Sequence, residues 1–384
     1  MVYEPKEDSI LLAGEVRKYA KGLCLDIGTG SGIQALEAAK QKEVKKVLAC
    51  DIQKGVVNCC RTKIKNKKIT FAVSNLFSNI KGRFDTIIFN PPYLPDDEIS
   101  KDIALYGGKE GYELLDRFFS EAGAYLAKDG IILIVFSSLT KKDKVDESIK
   151  KRLFEFNELA SMKIFFETLY VYLVRKSELL KELERRRIES VSYFSKGHRG
   201  ILFAGTYRGK KAIIKAKLPE SMAVGRIENE AKWLVRLNKK KIGPKIIESG
   251  EGYFFYEFVN GGFILDYLRA SKKKYIKKTI KKIFSQLFEL DELKADKEEM
   301  HHPVKHILVD KKGNPTLLDF ERCHISLKPK NVTQFCQFLT SGRMERILKE
   351  KGIILDKEEM IRLSSEYKHD ISKKMLNCIL AKFD

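Results

Sequence analysis

Apolar residues in the first half of the chain fall in short continuous runs rather than in alternation. "CLDI" (24–27), "VLAC" (47–50) and "TIIF" (86–89) are each bounded by Gly, Asp, Asn or Pro. That is the pattern of strands buried on both faces of a parallel sheet. Between the first two, "IQALEAAK" (33–40) is a good helix former, and it follows glycines at 28, 30 and 32 that permit a tight turn. "KKVLACDIQ" (45–53) reads as a second strand ending in Asp51, and "ITFAVSNLF" (69–77) as a third ending near Asn75. The run "RFDTIIFNPPY" (83–93) is a fourth strand, and it must stop at Asn90 because proline cannot donate to a ladder. Alternating strands and helices predict a doubly wound α/β sheet. "MKIFFETLYVYLVRK" (162–176) then supplies two closing strands.

The pattern changes near residue 176. "SELLKELERRRIES" (177–190) predicts a charged amphipathic helix with Leu179, Leu180 and Leu183 on one stripe. After it come short strands punctuated by glycine. Residues 197–217 read as two strands joined by a Gly turn, with Lys215 ending "AIIK". A helix over 228–238 carries Glu230, and residues 306–321 form a hairpin whose second strand is closed by Asp319. Residues 331–384 are helical in pattern. The expected organisation is a domain over 1–176, a linker helix over 177–190 and a second domain over 191–384.

Length agrees with two domains: 384 residues, 43% hydrophobic and 33% charged, are enough for two real cores. No apolar stretch approaches membrane-spanning length, and "MVYEPKEDS" is not a signal peptide, so a cytoplasmic location is expected. The seven cysteines show no CxxC pair, which argues against a zinc ribbon. Charge is uneven. Residues 1–176 hold 29 Lys and Arg against 24 Asp and Glu, which leaves +16 of the net +21 to the remainder. A surplus of that size suits RNA, the ribosome or another polyanion, and equally a Lys/Glu-rich surface of the thermophile kind. The densest basic run, "SKKKYIKK" (271–278), is also readable as a solvated helix face.

The chemistry gathers where the strands end. In open α/β sheets ligands bind beyond the carboxyl ends of the strands. The Gly-rich turn is spaced GxGxG rather than GxGxxG and holds no Lys or Arg for a pyrophosphate, so its backbone N–H groups suit a single carboxylate. Asp51, about 20 residues past the glycines, suits a grip on two ribose hydroxyls. At "NPPY" (90–93) a carboxamide, rigid carbonyls and an aromatic ring meet; the plain alternative is an ordinary proline turn.

Together these residues resemble the class I S-adenosylmethionine-dependent methyltransferases, whose sheet is Rossmann-like. Asp26 with "GTGSG" (28–32) matches the first motif of that family and Asp51 its ribose-binding acid. "NPPY" matches the catalytic motif of amino-group and amide-nitrogen methyltransferases. "VYEPKEDSILL" (2–12) and "GGKEGYELLDRF" (107–118) resemble the HemK-like branch that methylates the glutamine of a Gly-Gly-Gln motif in archaeal and eukaryotic translation termination factors. The resemblance implies cofactor contacts from Glu7, Asp26, Gly28, Thr29, Gly30, Gly32, Asp51, Ile52, Asn75 and Leu76, with Asn75 standing where an acid usually meets the adenine amino group. It implies that Tyr3, Glu4, Pro5, Glu7 and Asp8 lie over the cofactor, the alternative being a solvated cap that starts a helix. It also implies a small zinc-binding activator protein. The catalytic set would be Asn90, Pro91, Pro92 and Tyr93. An amide lone pair is delocalised, so both N–H bonds must be held for it to point at the methyl group. The Asn90 side-chain oxygen and the Pro91 carbonyl are two fixed acceptors, Pro92 stiffens the turn, and Tyr93 packs on the planar target. The same geometry serves the exocyclic amine of a flipped-out adenine. A protein glutamine and an adenine of DNA or RNA both remain open at this point.

The second half resembles the small atypical protein kinases of the RIO and Bud32 type, which implies an α+β kinase-like fold that binds ATP and Mg. Lys215 matches the lysine that meets the α/β-phosphates, Glu230 its helix partner, "YEFVNG" (256–261) the hinge, and Asp319 in "DFE" the metal-binding acid. The sequence departs from that pattern at several points. There is no His-Arg-Asp loop, His306 stands where a metal-binding Asn belongs, Glu321 replaces a glycine, and Glu299 is the nearest substitute base. An active kinase and a pseudokinase scaffold both fit. A metal site of His301, His302 and His306 is disfavoured by the lack of a nearby Cys and of HExxH spacing.

Overall fold

Continuous apolar runs in the first half assemble into one seven-stranded sheet. The computed structural model describes residues 5–95, 107–196, 200–217 and 225–384. It divides into two units, residues 1–193 and 194–384. In chain order the first unit contains α1 (Glu7–Tyr19), β1 (Gly22–Ile27), α2 (Ile33–Lys40), β2 (Val44–Asp51), α3 (Lys54–Lys63), β3 (Ile69–Val73) and β4 (Phe84–Phe89). It continues with α4 (Glu113–Tyr125), β5 (Leu126–Ser137), α5 (Lys142–Lys150), β6 (Phe154–Ile164), β7 (Glu167–Lys176) and α6 (Glu178–Arg185). The strand order is β3-β2-β1-β4-β5-β7-β6. The first five strands run parallel, and β7 and β6 close the sheet antiparallel.

Both faces of the sheet are covered, which is why its strands read as runs. Leu25, Ile27, Ile87, Phe89, Ile132 and Ile134 pack with Leu115 and Phe118 of α4. The alternate residues Cys24, Val47, Ala49, Ile88, Leu133 and Val135 pack with Leu12 and Val16 of α1 and the alanines of α2. Strand order reverses between β1 and β4, and Ile27 pairs with Phe89 in their register. The Gly-rich turn after β1 and the NPPY segment after β4 therefore emerge side by side at the carboxyl edge, at a topological switch point.

Two boundaries differ from the sequence expectation. The third strand stops at Val73, because Ser74 turns inward and bonds the Leu76 carbonyl at 2.8 Å. The helix expected over 177–190 ends at Arg185; Arg187 takes φ +63° and a strand begins at Ile188. That helix packs on the first unit's core. Ser177 caps it, Leu180 and Leu183 are buried, and Lys176, 1% exposed, bonds Glu184 at 2.7 Å.

The chain passes to the second unit through β8 (Ile188–Lys196). It continues with β9 (Gly200–Tyr207), β10 (Lys210–Lys217), α7 (Arg226–Asn238), β11 (Ile246–Gly250), β12 (Tyr253–Glu257), β13 (Gly262–Phe263), α8 (Ile264–Ala270) and α9 (Lys273–Glu292). Then come β14 (Ala295–Asp296), β15 (Ile307–Val309), β16 (Pro315–Leu317), β17 (His324–Ile325) and four helices, α10 (Asn331–Leu339), α11 (Gly342–Glu350), α12 (Lys357–His369) and α13 (Lys373–Leu380). A five-stranded sheet in the order β11-β12-β10-β9-β8 sits beside a helical part with its own core, built on α7, α9 and α10. Asp319 does not close a strand: β16 ends at Leu317, and Asp319 lies beyond it at φ +63°. The basic run 271–278 lies at the start of α9, with Lys272, Lys273 and Lys274 exposed and only Ile276 in the core.

All seven cysteines are free thiols, five of them buried. No helix among the described residues is long and apolar enough to cross a membrane.

Candidate active site

A cavity of about 630 Å³ opens at the carboxyl edge of the first unit's sheet. Its wall includes Gly28, Thr29, Gly30, Asp51, Ile52, Asn75, Leu76, Glu7 and all four residues of NPPY. Asp26 lies beneath, 1% exposed. The sequence-predicted cofactor and catalytic residues of this half are thus brought together at one place. Tyr3 and Glu4 lie outside the described residues.

The turn is held from below. Burial pushes the Asp26 carboxyl up to about 7, against the pull of the Thr29 hydroxyl, which donates to it at 2.6 Å. Gly32, which precedes α2, takes φ +83°, a left-handed conformation that favours glycine. Asp51, 7% exposed at the end of β2, accepts the Gly30 N–H at 3.2 Å and the Gln53 N–H at 2.9 Å. Each of these oxygens retains acceptor capacity for a hydroxyl. The Asn75 side-chain oxygen, Oδ1, accepts from the Arg117 guanidinium of α4, and an amide oxygen has a second lone pair for a further donor.

Asn90 is held by its amide end. Its Nδ2 donates to Asp8 Oδ2 at 3.0 Å and to Ser9 Oγ at 3.2 Å. Asp8 and Ser9 are 5% and 2% exposed on the first turn of α1. The Asn90 Oδ1 atom is buried and has no partner among the described residues. An unmet buried acceptor costs about 1–3 kcal/mol, a cost that an N–H brought by a ligand would remove. α1 is tied to the cofactor turn as well, since Gln34 of α2 donates to the Ser9 carbonyl at 2.9 Å.

The NPPY turn is clasped from outside. Gly107 N–H bonds the Leu94 carbonyl at 2.9 Å, and a Cβ at Gly107 would fall 2.6 Å from the Pro92 carbonyl. Thr140 donates to the Tyr93 carbonyl at 3.2 Å. Ser9, Gln34 and Arg117 lie within stretches whose pattern is legible, but their individual roles are not, and Thr140 lies outside all of them.

S-adenosylmethionine fits this donor set. The cavity lies within the 300–1,000 Å³ of small-molecule sites. Asp51 stands where ribose hydroxyls would bond; the N–H groups of Thr29, Gly30 and Gly32 expected to meet a carboxylate are instead taken by the Cys50 carbonyl, Asp51 and the Thr29 carbonyl.

The second unit brings its predicted residues together too. Lys215 Nζ pairs with Glu230 at 2.5 Å and reaches Asp319 at 3.5 Å and Glu321 at 4.0 Å. Burial works against the Lys215 cation, but Glu230 and Asp319 hold its pKa above the ordinary value. Burial likewise works against the Asp319 anion, yet Lys215, Lys297 and His306 hold its pKa below the usual range. Ligand oxygens of Glu230, Asp319 and Glu321 lie within 4.8 Å of one another, and this is the one such cluster among the described residues. His301, His302 and His306 do not form one. His306 instead meets Lys297 Nζ at 3.4 Å, and Glu299 is engaged by Arg322 at 2.6 Å. Lys297, 2% exposed and held below the ordinary lysine pKa by burial, was not foreseen.

The methyltransferase small domain family matches residues 7–166. A relative from Methanocaldococcus jannaschii, provisionally named a protein N5-glutamine methyltransferase, is 41% identical over 177 residues, covering 44% of this chain and 89% of its own. The release factor glutamine methyltransferase of Deinococcus radiodurans is 30% identical over 131 residues, 31% of this chain and 47% of that one. Among solved structures, the E. cuniculi Mtq2–Trm112 complex, described as responsible for methylating the eRF1 translation termination factor, aligns with a TM-score of 0.38 and 25% identity, covering 46% of this chain and 98% of that one. On the M. jannaschii match, across most of that relative's length, the chain belongs to the HemK-like family of S-adenosylmethionine-dependent methyltransferases, its first unit carrying the methyltransferase domain.

Proposed function

We propose that this enzyme methylates the side-chain amide nitrogen of a glutamine in a translation termination factor, within a Gly-Gly-Gln segment. The observation that carries the reading is Asn90 Oδ1, an unpartnered acceptor at the wall of the cofactor cavity. The names of the relatives support a glutamine acceptor.

Bound S-adenosylmethionine supplies an electrophilic methyl group on a sulfonium. The chain's residues do the rest. Asn90 Oδ1 and the Pro91 carbonyl accept the two N–H bonds of the target amide and turn its lone pair toward the methyl carbon. The nitrogen would gain positive charge on taking the methyl group, and the same two acceptors would stabilise that charge. After transfer the methylated amide nitrogen, being strongly acidic, would lose its proton to water, so no charged base is needed. Tyr93 covers the planar group, and the clasp by Gly107 and Thr140 keeps the turn from relaxing.

The test offers labelled S-adenosylmethionine with a Gly-Gly-Gln-containing factor, with duplex DNA and with total RNA, each with and without a small zinc-binding activator protein. Label on the factor that disappears in its Gln→Ala variant is expected. Label on nucleic acid alone would overturn the reading.

For the second unit we propose ATP binding with a divalent cation. Glu230 is engaged by Lys215 and, through its other oxygen, by the Phe320 N–H at 3.2 Å. Asp319 and Glu321, which Lys215 reaches at 3.5 and 4.0 Å, supply the oxygens for the cation, with Lys215 beside the phosphates.

A further inference from the structure

The β6–β7 hairpin ends in a turn that local physics disfavours. Ile164 pairs with Glu167, so the loop is two residues, Phe165-Phe166. Two-residue hairpins favour Asn-Gly or Gly-X, because turns with positive φ match the twist of the strands. Neither phenylalanine takes a positive φ. Both rings are bare to solvent, Phe165 at 99% and Phe166 at 96%. A lone exposed apolar residue is unremarkable. Two adjacent aromatic rings at a turn that Asn-Gly would fold better are a local conflict with the fold, and such conflicts gather at functional sites.

The tip stands at the cofactor cavity. Ile164, Glu167 and Leu169, which flank it, belong to the cavity wall. Glu167 Oε2 is buried with no hydrogen-bond partner among the described residues. The strand below is braced, since the Thr168 N–H bonds Ser138 Oγ at 3.0 Å. Apolar rings beside an unmet acceptor define the kind of partner that fits. It brings an apolar surface and an N–H donor together. A polypeptide has both. A nucleic-acid backbone has neither an apolar face nor tolerance for a carboxylate against its phosphates.

We propose that Phe165 and Phe166, with Glu167 behind them, form the docking element for the methyl-acceptor protein. The rings take an apolar surface beside the target loop, and Glu167 Oε2 takes a backbone N–H of that loop. The assignment rests on the protein-glutamine reading above. It adds affinity remote from the reacting nitrogen, which a segment of two glycines and a glutamine cannot supply from its own side chains.

The test is the full chain carrying F165N and F166G, which installs the turn that two-residue hairpins prefer. The thermal transition of its first unit is expected at or above the wild-type temperature, so any loss is not unfolding. The KM for the termination factor should rise by about 10-fold or more, with kcat at saturation and the Kd for S-adenosylmethionine unchanged. Wild-type transfer to the factor with an unaltered KM in the variant would overturn the docking assignment and leave the substrate reading intact. No wild-type transfer to the factor would overturn both. A wild-type dimer that the variant converts to monomer in sedimentation would make the tip a self-association surface and also overturn the proposal.

Discussion

A carboxamide can present either end to a cavity, and at Asn90 the choice is made by Asp8. A carboxylate accepts and does not donate, so it binds Nδ2 and fixes Oδ1 as the free end. Asp8→Asn removes that selection, because an asparagine at this position satisfies either orientation. The kcat for methyl transfer is expected to fall by about 10-fold or more, as when a preorganised transition-state contact is lost, while titration with S-adenosylmethionine gives an unchanged Kd. An unchanged kcat would show that Asp8 does not orient Asn90. The placement of Asn90, Asp51 and Gly30 at the cavity was legible in the sequence because it follows from position at strand ends. Asp8 was legible only as part of a cap or wall, because its partner lies 82 residues away. Arg117 at Asn75 and Lys297 beside His306 were hidden for the same reason: each role is a tertiary contact with no local pattern.

At the scale of elements, buried polar anchors decide where helices begin. Asp291 near the end of α9 receives four donors: the Asn331 N–H at 3.2 Å, Asn331 Nδ2 at 2.7 Å, the Val332 N–H at 3.2 Å and the Tyr367 hydroxyl at 2.9 Å. It thus ties the start of α10 and the side of α12 to α9. Burial pushes its carboxyl up to about 6 against these donors. Asp291→Ala should cost about 3 kcal/mol, from several buried donors left unmet, measured as a lower urea midpoint for the second unit. A loss under about 0.5 kcal/mol, the range of ordinary surface changes, would show the anchor to be dispensable. The strands of the first unit were readable because two-sided burial writes itself as apolar runs. The end of α6 was not, because "RRRIES" continues a helical charge pattern and the break comes from the left-handed Arg187. The strands β13 and β14 have two residues each, too short for any periodicity to register.

At the scale of the molecule, the two units have separate hydrophobic cores. Calorimetry of the full chain is therefore expected to resolve two transitions. S-adenosylmethionine at about 100 times its Kd should stabilise one of them by about 2.7 kcal/mol, and Mg-ATP should raise the other. Asp319→Ala is expected to remove the Mg-ATP shift alone. A shift by Mg-ATP that survives Asp319→Ala would contradict the cation assignment. The order of the first unit's strands was not accessible in the sequence, whereas its doubly wound sheet was, from the alternation of strands and helices. The chemistry of the second unit was less so, because its loop of 298–306 departs from any familiar arrangement and its lysine and histidine meet only in the fold. The most direct test of the central claim is the site of methylation on the termination factor, read by mass spectrometry after reaction with the wild-type chain and with Asn90→Ala. The expected result is one methyl group on the glutamine side-chain nitrogen with the wild type, and none with Asn90→Ala although that variant still binds S-adenosylmethionine. Methylation of that glutamine by Asn90→Ala at the wild-type rate would contradict the account.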